Sequence, residues 1–215
     1  MASPAGKISA EFTIESDGTI FYDVNNGDDE FISKSILGVK IEGKDCFEHH
    51  ILLHVDSTTV DATWQPVLGQ ESKIRNHYRE YIFHLCDLKD KDLHYKVIFR
   101  LFDDGIGFRY EFPAQDKLTH FTLEDELTQF VLNKDFMAYW LPGNYEAHSY
   151  DYRITRVSQI NGHFSENGAS NGNNGSDGNT VQTPLLLKSP SGLYVNIHEA
   201  ALIDYPGMNL QVDPT

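Results

Sequence analysis

The chain has 215 residues, 40% of them hydrophobic and 12% aromatic, which is enough apolar material for a core and unlike a disordered chain. Its formal net charge of −15 repels phosphate backbones and anionic lipid surfaces. Nucleic acid and membrane surfaces are therefore excluded as natural partners, while neutral ligands such as sugars, and bound cations, stay compatible. No stretch approaches the roughly 20 apolar residues of a membrane span.

The first elements alternate with period two. In Lys7–Glu15 the apolar positions Ile8, Ala10, Phe12 and Ile14 oppose Lys7, Ser9, Glu11 and Thr13, the pattern of a half-buried strand. Asp17-Gly18 is a hairpin-turn signal, and Thr19–Val24 is the expected partner strand. Asn25-Asn26-Gly27 breaks the chain next. Further strands are expected at 36–41, 48–55, 78–88, 95–101, 107–112, 121–127, 137–141, 185–188 and 193–197, separated by turn residues such as Asp103-Asp104-Gly105 and Pro142-Gly143. No helical period of ten or more residues competes with them. Many short strands at regular spacing predict an all-β, antiparallel sandwich or barrel forming a single domain over 1–215. In Asn161–Asn179, 14 of 19 residues are Asn, Gly or Ser, so a flexible surface loop within that domain is expected there. The chain stops where a strand begins at Gln211, which reads as truncation near the last strands. Met1-Ala2-Ser3-Pro4 carries no apolar export segment.

Chemistry-bearing residues are sparse, and phosphate-binding, nucleophile-elbow and zinc-protease motifs are absent. Cys46 and Cys86 match no zinc spacing and read as a cross-strand pair or as two buried thiols. The ten histidines are scattered, and the adjacent His49 and His50 point to opposite faces of a strand, so they are read as structural or solvated. Glu124, Asp125 and Glu126 form an acidic run whose members alternate faces. Asp125 is read there as a structural carboxylate, capping a loop or pairing with an arginine such as Arg109. Glu199 is the more informative carboxylate, because it follows Leu193, Val195 and Ile197 on one strand face. A carboxylate there needs a cation or donors, or else marks a strand end emerging into water. Trp64, Arg75 and Asn76 lie in a segment rich in polar and aromatic groups, suited either to sugar hydroxyls or to packing on another domain. The stretch 137–153, with Tyr139, Trp140, Asn144, Tyr145, Glu146, Tyr150 and Tyr152, is read as an aromatic binding or interface surface.

Five blocks in order resemble glycoside hydrolase family 97: W-Q-P-V-L-G-Q-E-S-K-I-R-N-H-Y from Trp64, F-R-L-F-D-D-G-I-G-F-R-Y-E-F-P from Phe99, D-E-L-T-Q-F from Asp125, L-P-G-N-Y-E from Leu141 and N-I-H-E-A-A-L-I-D-Y-P-G-M from Asn196. The resemblance implies an N-terminal β-supersandwich that precedes a catalytic (β/α)₈ barrel absent from these 215 residues. It implies an exported bacterial enzyme, periplasmic or secreted, that cleaves α-linked glucose or galactose from oligosaccharides, with its acid and base in the barrel. It also implies an active-site calcium to which the N-terminal domain lends one glutamate, and the matching position is Glu199. The substrate or interface residues expected on this basis are Asn144, Tyr145, Glu146, Arg75, Asn76, Trp64 and Trp140. A free-standing carbohydrate-binding module without catalysis is the alternative, and a purely structural domain is the third reading.

Overall fold

The computed structural model describes residues 1–43, 49–143, 150–160, 179–203 and 205–213. They are built almost wholly from antiparallel strands, with one short 3₁₀ turn at Val157–Gln159. Among them no helix is long and apolar enough to cross a membrane. The chain divides into two compact units, Met1–Asn133 and Lys134–Thr215.

The first unit opens with β1 (Ile8–Ile14), β2 (Ile20–Asn26) and β3 (Asp29–Leu37), which form a sheet in the order β1-β2-β3-β10 with β10 (Val131–Leu132). The Asp17-Gly18 signal does close the β1–β2 hairpin: Gly18 has φ +91°, and the Thr19 N–H donates to Asp17 Oδ1 at 2.9 Å. A side chain at Gly18 would also place its Cβ 2.5 Å from the His50 backbone nitrogen, so the turn needs glycine twice over. Asn25-Asn26-Gly27 turns the chain into β3, with Asn26 opposite Asp29 and Gly27 at φ +60°.

The expected strand 36–41 is two strands. β3 ends at Leu37, and β4 (Val39–Ile41) pairs with β9 (Leu123–Glu126). Gly38 is the junction; its N–H donates to Tyr110 Oη at 3.0 Å, and its carbonyl accepts from Leu127.

The second sheet has the order β5-β6-β7-β8, with β5 (His50–Trp64), β6 (Ile74–Asp87), β7 (His94–Phe102) and β8 (Gly105–Glu111). Alternate residues of β7 supply the core: Tyr95, Val97, Phe99 and Leu101 are 0–2% exposed. Phe99 and Phe83 meet Phe12 of β1, with Phe12 stacked on Phe83 at 3.8 Å, and Tyr22 of β2 lies 6.1 Å from Phe99. These rings join the two sheets face to face as a sandwich.

In the second unit β11 (Met137–Trp140) lies between β12 (Arg153–Arg156) and β14 (Leu185–Lys188), and β15 (Tyr194–Ile197) extends that sheet. β13 (Thr180–Gln182) pairs with β16 (Asn209–Gln211). Ala138, Trp140, Val181 and Leu187 are fully buried and form its core. The Asn/Gly-rich segment expected as a loop lies outside the described residues except for Asn179, and Cys46 lies outside them too. Cys86 is a buried free thiol, and burial pushes its ionisation up.

Candidate functional site

Glu199 sits two residues beyond β15. Leu193, just before β15, and Val195 are half-buried, and Ile197 at the strand end is 8% exposed. The strand then ends, which frees the Glu199 carboxylate to turn toward the neighbouring β13–β16 pair. Thr183, just after β13, donates its hydroxyl to Glu199 Oε2 at 2.7 Å, and the Met208 N–H, just before β16, donates to Oε1. Thr183 Oγ1 also lies 3.1 Å from the Met208 carbonyl. One hydroxyl proton serves only one acceptor, and the shorter, charge-assisted contact to the carboxylate takes it. Burial pushes the carboxyl up, but the donors at Met208 and Thr183 outweigh it and hold Glu199 below the usual glutamate range. The group is therefore an anion held by the Met208 and Thr183 donors and by its own backbone N–H. Thr183 and Met208 were invisible to sequence reasoning, since they lie 16 and nine residues from Glu199 and meet it only through the pairing of β13 with β16.

A second expected group assembles at the end of the β5–β6 hairpin. Trp64 is opposite Ile74, Thr63 opposite Arg75 and Ala62 opposite Asn76. The expected strand 78–88 thus begins earlier, at Ile74, and the polar and aromatic segment from Trp64 consists of the end of β5, the connection 65–73 and the start of β6. β7 covers β6 only from Arg79 to Cys86, so the pairs from Val60–Tyr78 to Trp64–Ile74 run past it with no third strand. Trp64 is 51% exposed, and the connecting residues Val67 and Leu68 are 97% and 89% exposed. Arg75 forks onto Asp61, with Nε to Oδ1 and Nη2 to Oδ2 both at 2.7 Å, and this arginine holds the Asp61 carboxyl below its usual range. Arg75 is therefore already committed to a partner within the arm. The signal available for Val67 and Leu68 was two apolar residues set between Pro66 and Gly69, where no strand can bury them.

Trp140 differs from the expectation. It is 2% exposed, its indole N–H donates to Thr155 Oγ1 at 3.0 Å, and it belongs to the core of the second unit. The strand alternation explains it: Ala138 and Trp140 share the covered face of β11, while Met137 and Tyr139 on the other face are only partly buried. Tyr152 and Tyr150, by contrast, are 62% and 39% exposed. Asn144, Tyr145 and Glu146 lie outside the described residues. Arg109 pairs with Glu111 at 2.9 Å, while Asp125 accepts the Glu126 N–H at 2.9 Å, a local structural role.

The family model for the glycosyl-hydrolase 97 N-terminal region matches residues 1–215. The chain belongs to that family. A family 97 enzyme from Pseudoalteromonas sp. strain K8, solved in complex with acarbose, superposes with a TM-score of 0.83 at 27% identity, over 98% of this chain and 30% of that one. The same enzyme solved with panose, as a variant, gives the same values. A β-arabinopyranosidase structure matches at 18% identity with a TM-score of 0.71, over 87% of this chain and 29% of that one, which shows the shared fold. The family 97 N-terminal region thus spans less than a third of the enzymes it matches.

Proposed function

We propose that the chain is the N-terminal wall of an α-glycoside hydrolase of the α-glucosidase or α-galactosidase type, which packs on a catalytic barrel, shapes its sugar pocket and lends Glu199 to an active-site calcium. The Glu199 corner carries this reading. Its carboxylate, the Thr183 hydroxyl and the Met208 carbonyl are all oxygen donors, the hard set that suits Ca²⁺, and they stand beside a segment whose Leu202 and Ile203 are 53% and 76% exposed. Calcium takes six to eight oxygens, so one protein edge supplies only part of the shell and the barrel supplies the rest. When bound, the ion polarises groups at the barrel mouth, where barrel enzymes do their chemistry. Met208 and Thr183 keep Glu199 ionised and aimed.

The exposed apolar tip of the β5–β6 arm supports docking on another domain, since isolated apolar surface of that kind marks an interface. The panose and acarbose complexes of the Pseudoalteromonas enzyme support an oligosaccharide substrate. Such a substrate is met in the periplasm or outside the cell. The rival, a free-standing sugar-binding module, loses its central ring because Trp140 is core.

The test is Glu199→Gln in the full-length enzyme. Weaker calcium binding and lower turnover are expected, with the fold retained because the amide oxygen still accepts from Met208. Calcium affinity and turnover both equal to the parent's would remove Glu199 from the site.

A further inference from the structure

We propose that His54, Asp56 and His84 form a binding site for a divalent transition-metal ion of the zinc type on the β5–β6 hairpin. The strand geometry assembles it. His54 and Asp56 are two residues apart on β5 and share a face, and His84 of β6 lies directly opposite His54. A register shift between Leu52 and His54 sets that alignment. The two imidazoles stack at 3.9 Å with 16° between their planes, so the rings are already side by side and one must rotate about its Cβ–Cγ bond for both lone pairs to meet at an ion.

The distances suit a small ion. Asp56 Oδ2 lies 3.0 Å from His84 Nε2, a hydrogen bond that a bound ion would replace, and 3.7 Å from His54 Nε2. These values bracket the roughly 3.3 Å between neighbouring ligands of a tetrahedral ion with bonds of about 2.0–2.1 Å. One ligand atom from each of the three residues falls within 4.8 Å of the others, so small side-chain rotations complete the set. His84 is the held ligand, with its side chain 23% exposed, whereas His54 and Asp56 at 57% and 62% leave the ion a way in and room for water.

The donor set names the class of ion. Two imidazole nitrogens and one carboxylate favour zinc and its neighbours over calcium, which prefers oxygen alone. The site is thus chemically unlike the Glu199 corner and rests on none of that reading. The net charge of −15 draws cations toward the surface. Lys96, the β7 neighbour of His84, does not oppose this, because Glu111 engages its ammonium at 2.7 Å.

The site also has a structural consequence. Among the described residues β5 is an edge strand that pairs with β6 alone, and the arm leaves β7 just beyond, at Val60–Tyr78. A one-residue slip of β5 would turn His54 and Asp56 to the other face and destroy the ligand set. A bound ion therefore fixes the hairpin register at the foot of the arm.

The experiment titrates zinc chloride into the chelator-stripped 215-residue chain by calorimetry, with Co²⁺ absorbance as the second readout. One saturable site is expected. Losing an outer-shell partner costs about 10–100-fold in metal affinity, so His84→Ala, His54→Ala and Asp56→Asn, which remove direct ligands, should each cost at least about tenfold. The exposed positions 54 and 56 keep the fold safe in two of the three variants. Excess calcium should not displace zinc. The proposal is overturned by absence of saturable zinc binding, by undiminished binding in the His54→Ala/His84→Ala double variant, which places the ion on other histidines, or by ready displacement with calcium.

Discussion

The two ends of the β5–β6 hairpin both carry apolar residues, and in β6 these meet opposite fates. At the foot, β6 runs between β5 and β7, and its Phe83, Leu85 and Cys86 are buried. At the tip, where β7 has ended, Trp64, Val67, Leu68 and Ile74 are exposed although they are as apolar as the foot residues. What differs is the number of neighbouring strands: β7 flanks β6 at the foot and not at the tip. Apolar side chains of β6 at the foot stabilise this chain, although Leu52, Leu53 and Val55 of the edge strand β5 are 42–49% exposed, whereas the apolar residues at the tip are exposed on both strands. Their chemistry is spent only when another surface covers them, which is why the tip belongs with function and the foot with folding.

The largest test of that contrast is Phe83→Ala. Phe83 stacks on Phe12 and meets Phe99 edge-on, so its removal should cost about 3–5 kcal/mol in urea unfolding of this chain. A cost near that of a surface change would mean that the sandwich core lies elsewhere. The boundary residue Tyr78 should fall between the extremes. It is 6% exposed, with Phe102 at 5.2 Å and the Arg100 guanidinium 4.7 Å above its ring, and Tyr78→Ala should cost about 2 kcal/mol by the same measurement. The smallest effect belongs to the tip: Trp64→Ala should stay within about 0.5 kcal/mol in the isolated chain. Hydrogen exchange sharpens the same point, since amides at 60–64 and 74–78 should exchange faster than those at 79–86, where three strands lie side by side. A large loss of stability from Trp64→Ala would show that the tip is already packed and would end its role as a docking surface.

Much of the fold was legible because a half-buried antiparallel strand writes itself in alternation. β1, β7, β14 and β15 fall close to where the periodicity put them, and the Asp17-Gly18 turn closes the hairpin it announces, whereas Asn25-Asn26-Gly27, read only as a break, turns straight into β3, most of which was not expected. Edge strands were legible only in part. β5 continues to Trp64 through D-S-T-T-V-D-A-T, which lacks alternation because solvent bathes nearly all of it, and an exposed edge has no inside face to encode. Short strands such as β10 and β12 carry too few residues to show a period.

The sites divide in the same way. Glu199 stood out in the sequence because a carboxylate that follows three core-type residues demands a reason. Its donors, Thr183 and Met208, did not, since strand pairing and not sequence spacing makes them neighbours. His54 and His84 were two among ten scattered histidines until the hairpin register set them face to face. Trp140 was misread for a related reason: an aromatic in a Tyr-rich stretch looks like a binding ring until the fold shows that its face of the strand is covered.

By itself the sequence determined the strand class, the turns, the acidic character and the family, because period-two alternation, turn chemistry, charge and ordered motifs are local properties of the chain. Only the tertiary structure decided which apolar residues are core and which are offered to a partner, which donors hold Glu199 ionised, and that His54, Asp56 and His84 meet. Those are facts of register and of how many strands flank a given one, and they bring together residues that the sequence holds apart.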